Sequence, residues 1–249
     1  MRIGLVSDTE GDLPKLEAAL RALGSHAPDL IVHAGDVLEY PFSRDPPSES
    51  VALLRAEAIR AIPGNHDRYL IDWGTPRWPH TLWMRLRRSD PPGRWLEAAP
   101  IAQAKLGPDD LAWLRSLPEE LSLDDGVYLC HGMPGNPWNT IWPRSERYDA
   151  NVSEQDRLAS LALLEAAELV LCGHAPAPWE YRDRRPDGRE LRIVRAGDRE
   201  PGRVGYALLT RCPDGWQVEW GEAPFTPRDP GWSWEANLVR ELELHDRPG

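Results

Sequence analysis

The apolar run over residues 3–7 is short and uninterrupted, and it reads as a first strand. Leu13, Leu16, Leu20 and Leu23 then recur at the helical period, with Pro14 in the opening turn and Gly24 at the close, which predicts a helix with one buried face. Residues 30–34 read as a second buried strand. After a Pro/Ser-rich loop over 41–50, a short helix leads to a third strand over 58–62, stopped by Pro63-Gly64. This rhythm predicts βαβ units and a parallel sheet covered by helices.

Residues 68–122 break the rhythm. Trp73, Trp78, Trp83, Trp95 and Trp113 fall there among many prolines, and one helix is plain, opening at Pro108 and ending before Pro118. The stretch reads as a Trp-rich helical insert over the strand ends, its tryptophans forming a hydrophobic lid or simply filling a loop-rich layer. A strand over 127–130, a helix over 153–166 and a strand over 169–172 restore the alternation, and two hairpins follow, turning at Pro186-Asp187-Gly188 and Pro213-Asp214-Gly215. The fold class this predicts is α/β, a four-layer α-β-β-α sandwich with two mixed sheets face to face and helices outside. One domain over 1–249 is expected, with a tail over 225–249 that is plausibly helical near its end.

No apolar stretch approaches the roughly 20 residues that span a bilayer, and the opening residues have no signal-like leader, so a cytoplasmic protein with no membrane partner is expected. Forty acidic against 29 basic residues give a formal charge of −11, which repels nucleic acid and favours a site neutralised by bound cations. Arg85, Arg87 and Arg88 make the one notable basic run, better read as a solvated loop face than as a track for a polynucleotide backbone. Three cysteines supply no disulfide framework. Cys130-His131 and Cys172-Gly173-His174 raise a zinc site, but neighbours on a strand face opposite ways, and the cysteines read more simply as small buried residues.

Five strand ends carry metal-ligand residue types: Asp8-Thr9-Glu10, Gly35-Asp36, Gly64-Asn65-His66-Asp67, His131 and Gly173-His174. In an open α/β sheet these ends form the rim where ligands bind, so residues remote in sequence converge. Each alone is weak, since a strand-end Asp is usually a cap. Together, carboxylates, an amide oxygen and imidazoles form a donor set suited to one or two divalent ions, manganese first, with iron, zinc or magnesium as alternatives.

The order resembles the calcineurin-like metallophosphoesterase superfamily, whose signature runs D-x-H, G-D, G-N-H-D/E, H and G-H-x-H; the match spans Asp8 to His174. The LCHGMPGNP stretch around His131 is similar to bacterial members with small phosphoester substrates. The resemblance implies that Asp36 bridges two metals and that Asn65, His131 and His174 complete one of them. Asp8 and Asp36 would serve the other, but Glu10 and Pro176 stand where that family has histidines. Glu10 retains a ligand oxygen, whereas Pro176 has no donor, so this position is degraded.

It also implies hydrolysis of a phosphomono- or phosphodiester, a small molecule or nucleotide, by a metal-activated hydroxide with His66 as general acid. Glu39 is placed to orient His66, or is a solvated loop carboxylate; Asp67 caps the following turn. Val37-Leu38-Glu39-Tyr40 follows Asp36 where protein phosphatases of the superfamily carry an Asp-Arg pair, which disfavours a protein substrate. The competing reading is a binding or regulatory member that kept fold and metal but lost efficient turnover; a nuclease would need the basic track that this chain lacks.

Overall fold

The computed structural model describes residues 1–86, 96–140, 152–175, 178–185, 187–197 and 202–245. β1 (Arg2–Val6) leads into α1 (Leu13–Gly24), β2 (Leu30–His33), α2 (Pro47–Ala56) and β3 (Arg60–Ala61). Helices α3 (Asn65–Ile71), α4 (Trp78–Leu86), α5 (Ala98–Ala104) and α6 (Pro108–Ser116) come next. Then follow β4 (Leu121–Leu123), β5 (Val127–Leu129), α7 (Glu154–Ala162), β6 (Leu169–Cys172), β7 (Trp179–Arg184), β8 (Glu190–Arg195), β9 (Arg203–Cys212), β10 (Gly215–Pro224) and α8 (Trp234–His245). One sheet has the order β10-β9-β1-β2-β3, the other β4-β5-β6-β8-β7. In each, parallel strands form the middle: β1 pairs β2 with Ile3 opposite Leu30, and β6 lies parallel to both β5 and β8.

The four layers follow from the period-2 alternation of strand side chains. Ile3 and Leu5 of β1, Leu129 of β5, Leu169 and Leu171 of β6 and Leu209 of β9 meet in one buried cluster between the sheets. Val6 turns the other way, into a cluster with Leu16, Leu20 and Leu23 of α1. Val170 and Cys172 likewise turn outward to Leu161 of α7, joined by Cys130. The cysteines therefore belong to the outer core. Burial pushes the Cys172 thiol up to about 12 and raises Cys130 well above the usual range, and among the described residues neither joins a cluster of metal-ligand atoms.

The insert is more helical than its sequence suggests. Besides α6 it contains α4 and α5 and the body of α3, short helices whose burial comes from several directions and so leaves no clean stripe. Trp73 and Trp78 pack edge to face at 4.8 Å and, with Trp113, lie against the main core as filling. Trp83 differs, being 50% exposed. Trp95, Arg87, Arg88, Pro176 and the turn residue Pro186 lie outside the described residues, as does the side chain of Arg85. The helix expected over 153–166 ends at Ala162, with Ser153 as its N-cap. No helix among the described residues is long and apolar enough to cross a membrane.

Candidate metal centre

The ends of β1, β2, β5 and β6 and the start of α3 bring the chemistry-bearing residues to one rim. The backbone there is unusual. Seven non-glycine residues have positive φ among those described, and four are Asp8 at 55°, Glu10 at 53°, Asp36 at 52° and His174 at 72°. L-residues take this conformation at a cost, so its concentration here marks a site that the surrounding structure enforces.

The enforcement is visible in the hydrogen bonds. Asp8 N–H donates to the Gly35 carbonyl and Glu10 N–H to the Asp36 carbonyl, both at 3.0 Å, which ties the first two ligand loops together. Asp67 ties the second to the third. Its carboxylate accepts from Val37 N–H at 3.1 Å, Leu38 N–H at 2.9 Å and Gly64 N–H at 2.8 Å. Glycine is required where loops press together: a Cβ on Gly64 would lie 2.0 Å from Asp36 Oδ1, and one on Gly173 would lie 2.5 Å from Asp8 Oδ2.

At the centre stand Asp36, Asn65, His131 and His174. His131 Nε2 is 3.3 Å from Asp36 Oδ2 and 3.1 Å from Asn65 Oδ1, and His174 Nδ1 is 2.7 Å from the same amide oxygen. His131 Nδ1–H donates to the Ala34 carbonyl at 2.7 Å, which fixes the tautomer and aims Nε2 at the carboxylate. Asp36, His131 and His174 each offer an atom within 4.8 Å of the others. Burial opposes charge on both Asp36 and His131, but their mutual attraction wins: Asp36 stays below the usual carboxylate range, and His131 rises to about 9. A donor set of carboxylate, amide oxygen and two imidazoles fits a borderline divalent ion.

A second group lies alongside, formed by Glu10, Glu39 and His66, again with donor atoms within 4.8 Å of one another. His66 Nδ1 is 2.7 Å from Glu39 Oε1 and 4.0 Å from Asp36 Oδ2, and its backbone N–H donates to Asp36 Oδ1 at 2.8 Å. Burial works against a charged His66, but Asp36, Glu39 and Glu10 outweigh it and hold its pKa well above the ordinary value. Burial and the Glu39 charge push Glu10 to about 8.

Asp8 falls in neither group among the described residues. Its carboxylate accepts the His174 backbone N–H at 3.1 Å, and burial lifts its pKa to about 6. Asp36, Asn65, His131 and His174 therefore come together as the sequence implies, while Glu10 turns toward Glu39 and His66. The spacing of Glu39 from Asp36 hinted at its contact with His66. Three supports had no such signal: Asp67 across two loops, Lys15 Nζ on the Asp8 carbonyl at 2.5 Å, and buried His33, whose Nε2 lies 3.0 Å from the Thr9 hydroxyl.

The chain belongs to the calcineurin-like phosphoesterase family, whose sequence model matches residues 1–246. That family carries out phosphoester hydrolysis that depends on divalent metal ions. Among solved structures, a metallophosphoesterase from Sphaerobacter thermophilus aligns with a TM-score of 0.61 at 23% identity, over 100% of this chain and 95% of its own. A hypothetical protein from Pyrococcus horikoshii aligns at 0.64 and 18% identity, over 99% of this chain and 94% of its own. At these identities the likeness is one of fold. No curated protein sequence matches the chain.

Proposed function

We propose that the chain hydrolyses a small phosphomono- or phosphodiester at the rim described above, with Asp36, Asn65, His131 and His174 holding a divalent ion, manganese by preference. The carrying observation is the meeting of these four side chains from remote parts of the sequence, with His66 beside them. When bound, such an ion supplies Lewis-acid activation of water and neutralises phosphoryl charge. Asp8, Glu10 and Asp36 would hold a second ion more weakly, because Glu10 is drawn toward His66.

The chain's own groups account for the remaining chemistry. His66 keeps a proton on Nδ1 against Glu39, which leaves an Nε2–H to protonate the departing oxygen as general acid. Glu39 acts as a positioning residue that fixes the ring and favours its charged form. Asp67 and the left-handed turns hold the ligands in place before any substrate arrives, which lowers the reorganisation needed in the reaction.

The test is hydrolysis of a chromogenic monoester and a chromogenic diester by manganese-loaded protein, beside a His66→Ala variant. The expected loss in the variant is about 10²–10⁴-fold, the usual range for a general acid. Equal rates for the two proteins would falsify the assignment.

A further inference from the structure

A cavity of about 420 Å³, within the range of roughly 300–1,000 Å³ typical of small-molecule sites, lies along the loop that follows His131, and its described lining does not itself include Asp36, Asn65, His66, His131 or His174. Met133 in its wall is two residues beyond the ligand His131, so at most about 7.6 Å separates their Cα atoms at 3.8 Å per residue. Helix α4 contributes His80, Trp83 and Met84 to the lining, and Leu163 follows α7 on another wall. Trp83 and Leu163 are 50% and 55% exposed and line the same cavity. The His80 ring lies 6.1 Å from Trp83 and meets buried Trp138 edge-on at 5.6 Å.

The loop forming this wall is fixed before any ligand arrives. Met133 and Asn136 exchange backbone hydrogen bonds at 3.1 and 2.9 Å, Ser160 Oγ donates to the Pro134 carbonyl at 2.7 Å, and Gly135 N–H donates to Glu120 at 2.6 Å. Among the described lining residues there is no lysine or arginine. The one carboxylate, Asp156, is engaged by the Ser153 N–H at 3.0 Å and hydroxyl at 2.7 Å. Among the described lining residues a second phosphate would find no counter-charge, whereas a flat uncharged ring would find aromatic and thioether surface. A second cavity, of about 400 Å³ beside Glu39, does carry Arg44, Lys105 and Arg240, but Arg44 pairs with Asp12 and Lys105 with Glu241, each at 2.9 Å, and Arg240 with Glu241 at 3.5 Å.

We propose that the cavity between α4, the loop after His131 and α7 is a subsite for an uncharged planar ring carried by the phosphoester, an aryl group or a nucleobase. The proposal rests on the hydrolase reading for the identity of the adjoining phosphoryl group. Its test is calorimetric binding of phenylphosphonate, methylphosphonate and a nucleoside phosphonate to manganese-loaded protein, because a P–C bond resists turnover. The ring-bearing probes should bind about tenfold more tightly than methylphosphonate, as expected for one good aromatic contact. In Trp83→Ala, and separately in Leu163→Ser, that ratio should fall to about twofold; both side chains are exposed, so the fold tolerates the changes.

Preference for the nucleoside over the phenyl probe would identify a base, and the reverse an aryl group. Equal binding of phenylphosphonate and methylphosphonate, or a ratio untouched by both substitutions, would overturn the subsite. Ester hydrolysis without ring preference would sink the subsite alone. Ring preference lost in Trp83→Ala, in a protein that turns over no ester, would leave the subsite standing and remove the hydrolase reading.

Discussion

Two side-chain groups stand next to each other on the same rim, and they differ in charge balance rather than in size. In the group of Asp36, His131 and His174, one carboxylate faces two imidazoles, with the Asn65 amide oxygen between them. In the group of Glu10, Glu39 and His66, two carboxylates share one imidazole. The first has the neutral and anionic donors that a divalent ion requires once the ring protons leave. In the second, Asp36, Glu39 and Glu10 raise the pKa of His66 well above its ordinary value, and Glu10 itself is pushed to about 8. Under the proposed function the first cluster would hold the metal and its neighbour would supply the acid, with Glu10 standing in the second where the family pattern has a histidine.

The largest expected effect comes from His131→Ala. Losing a buried ligand should remove tightly held metal and lower kcat/KM by roughly 10⁴-fold, the scale of several kcal/mol of lost transition-state stabilisation. Retained metal with near-normal activity would erase the distinction between the groups. Glu39→Gln should leave metal content intact and reduce kcat by about tenfold, a fraction of the general-acid contribution, with KM little changed.

The pH profile gives this variant a sign. A general acid acts while protonated, so activity falls as pH rises through the pKa of His66. Removing the Glu39 charge takes away a factor that raises that pKa, so the alkaline limb should move to lower pH. Glu10→Gln should move it the same way and less far, with a rate loss of about threefold, because Glu10 is a smaller contributor at His66 than Glu39. A larger loss of bound metal from Glu10→Gln than from His131→Ala would invert the account.

Much of this arrangement was legible in the chain. The period-2 and 3.6-residue patterns placed the layers, because burial on one face leaves a direct trace in residue type. The glycines beside Asp36, Asn65 and His174 marked where the backbone must turn tightly. What stayed hidden depends on contacts across sequence. Asp67 is indistinguishable from an ordinary cap until the loop after Asp36 is laid against it, and nothing local distinguishes His33 from other strand histidines. The short helices of the insert escaped for a different reason: α3 is buried nearly all round, so it carries no amphipathic stripe. Glu10 had a donor and the right spacing, but its orientation was decided by Glu39 and His66, which lie 29 and 56 positions further along.

Anomalous diffraction from crystals soaked in manganese would test the separation of the two groups most directly. The strongest peak should lie among Asp36 Oδ2, Asn65 Oδ1, His131 Nε2 and His174 Nδ1. Density confined to the pocket between Glu10, Glu39 and His66, or no ordered manganese on the rim even in excess, would contradict it.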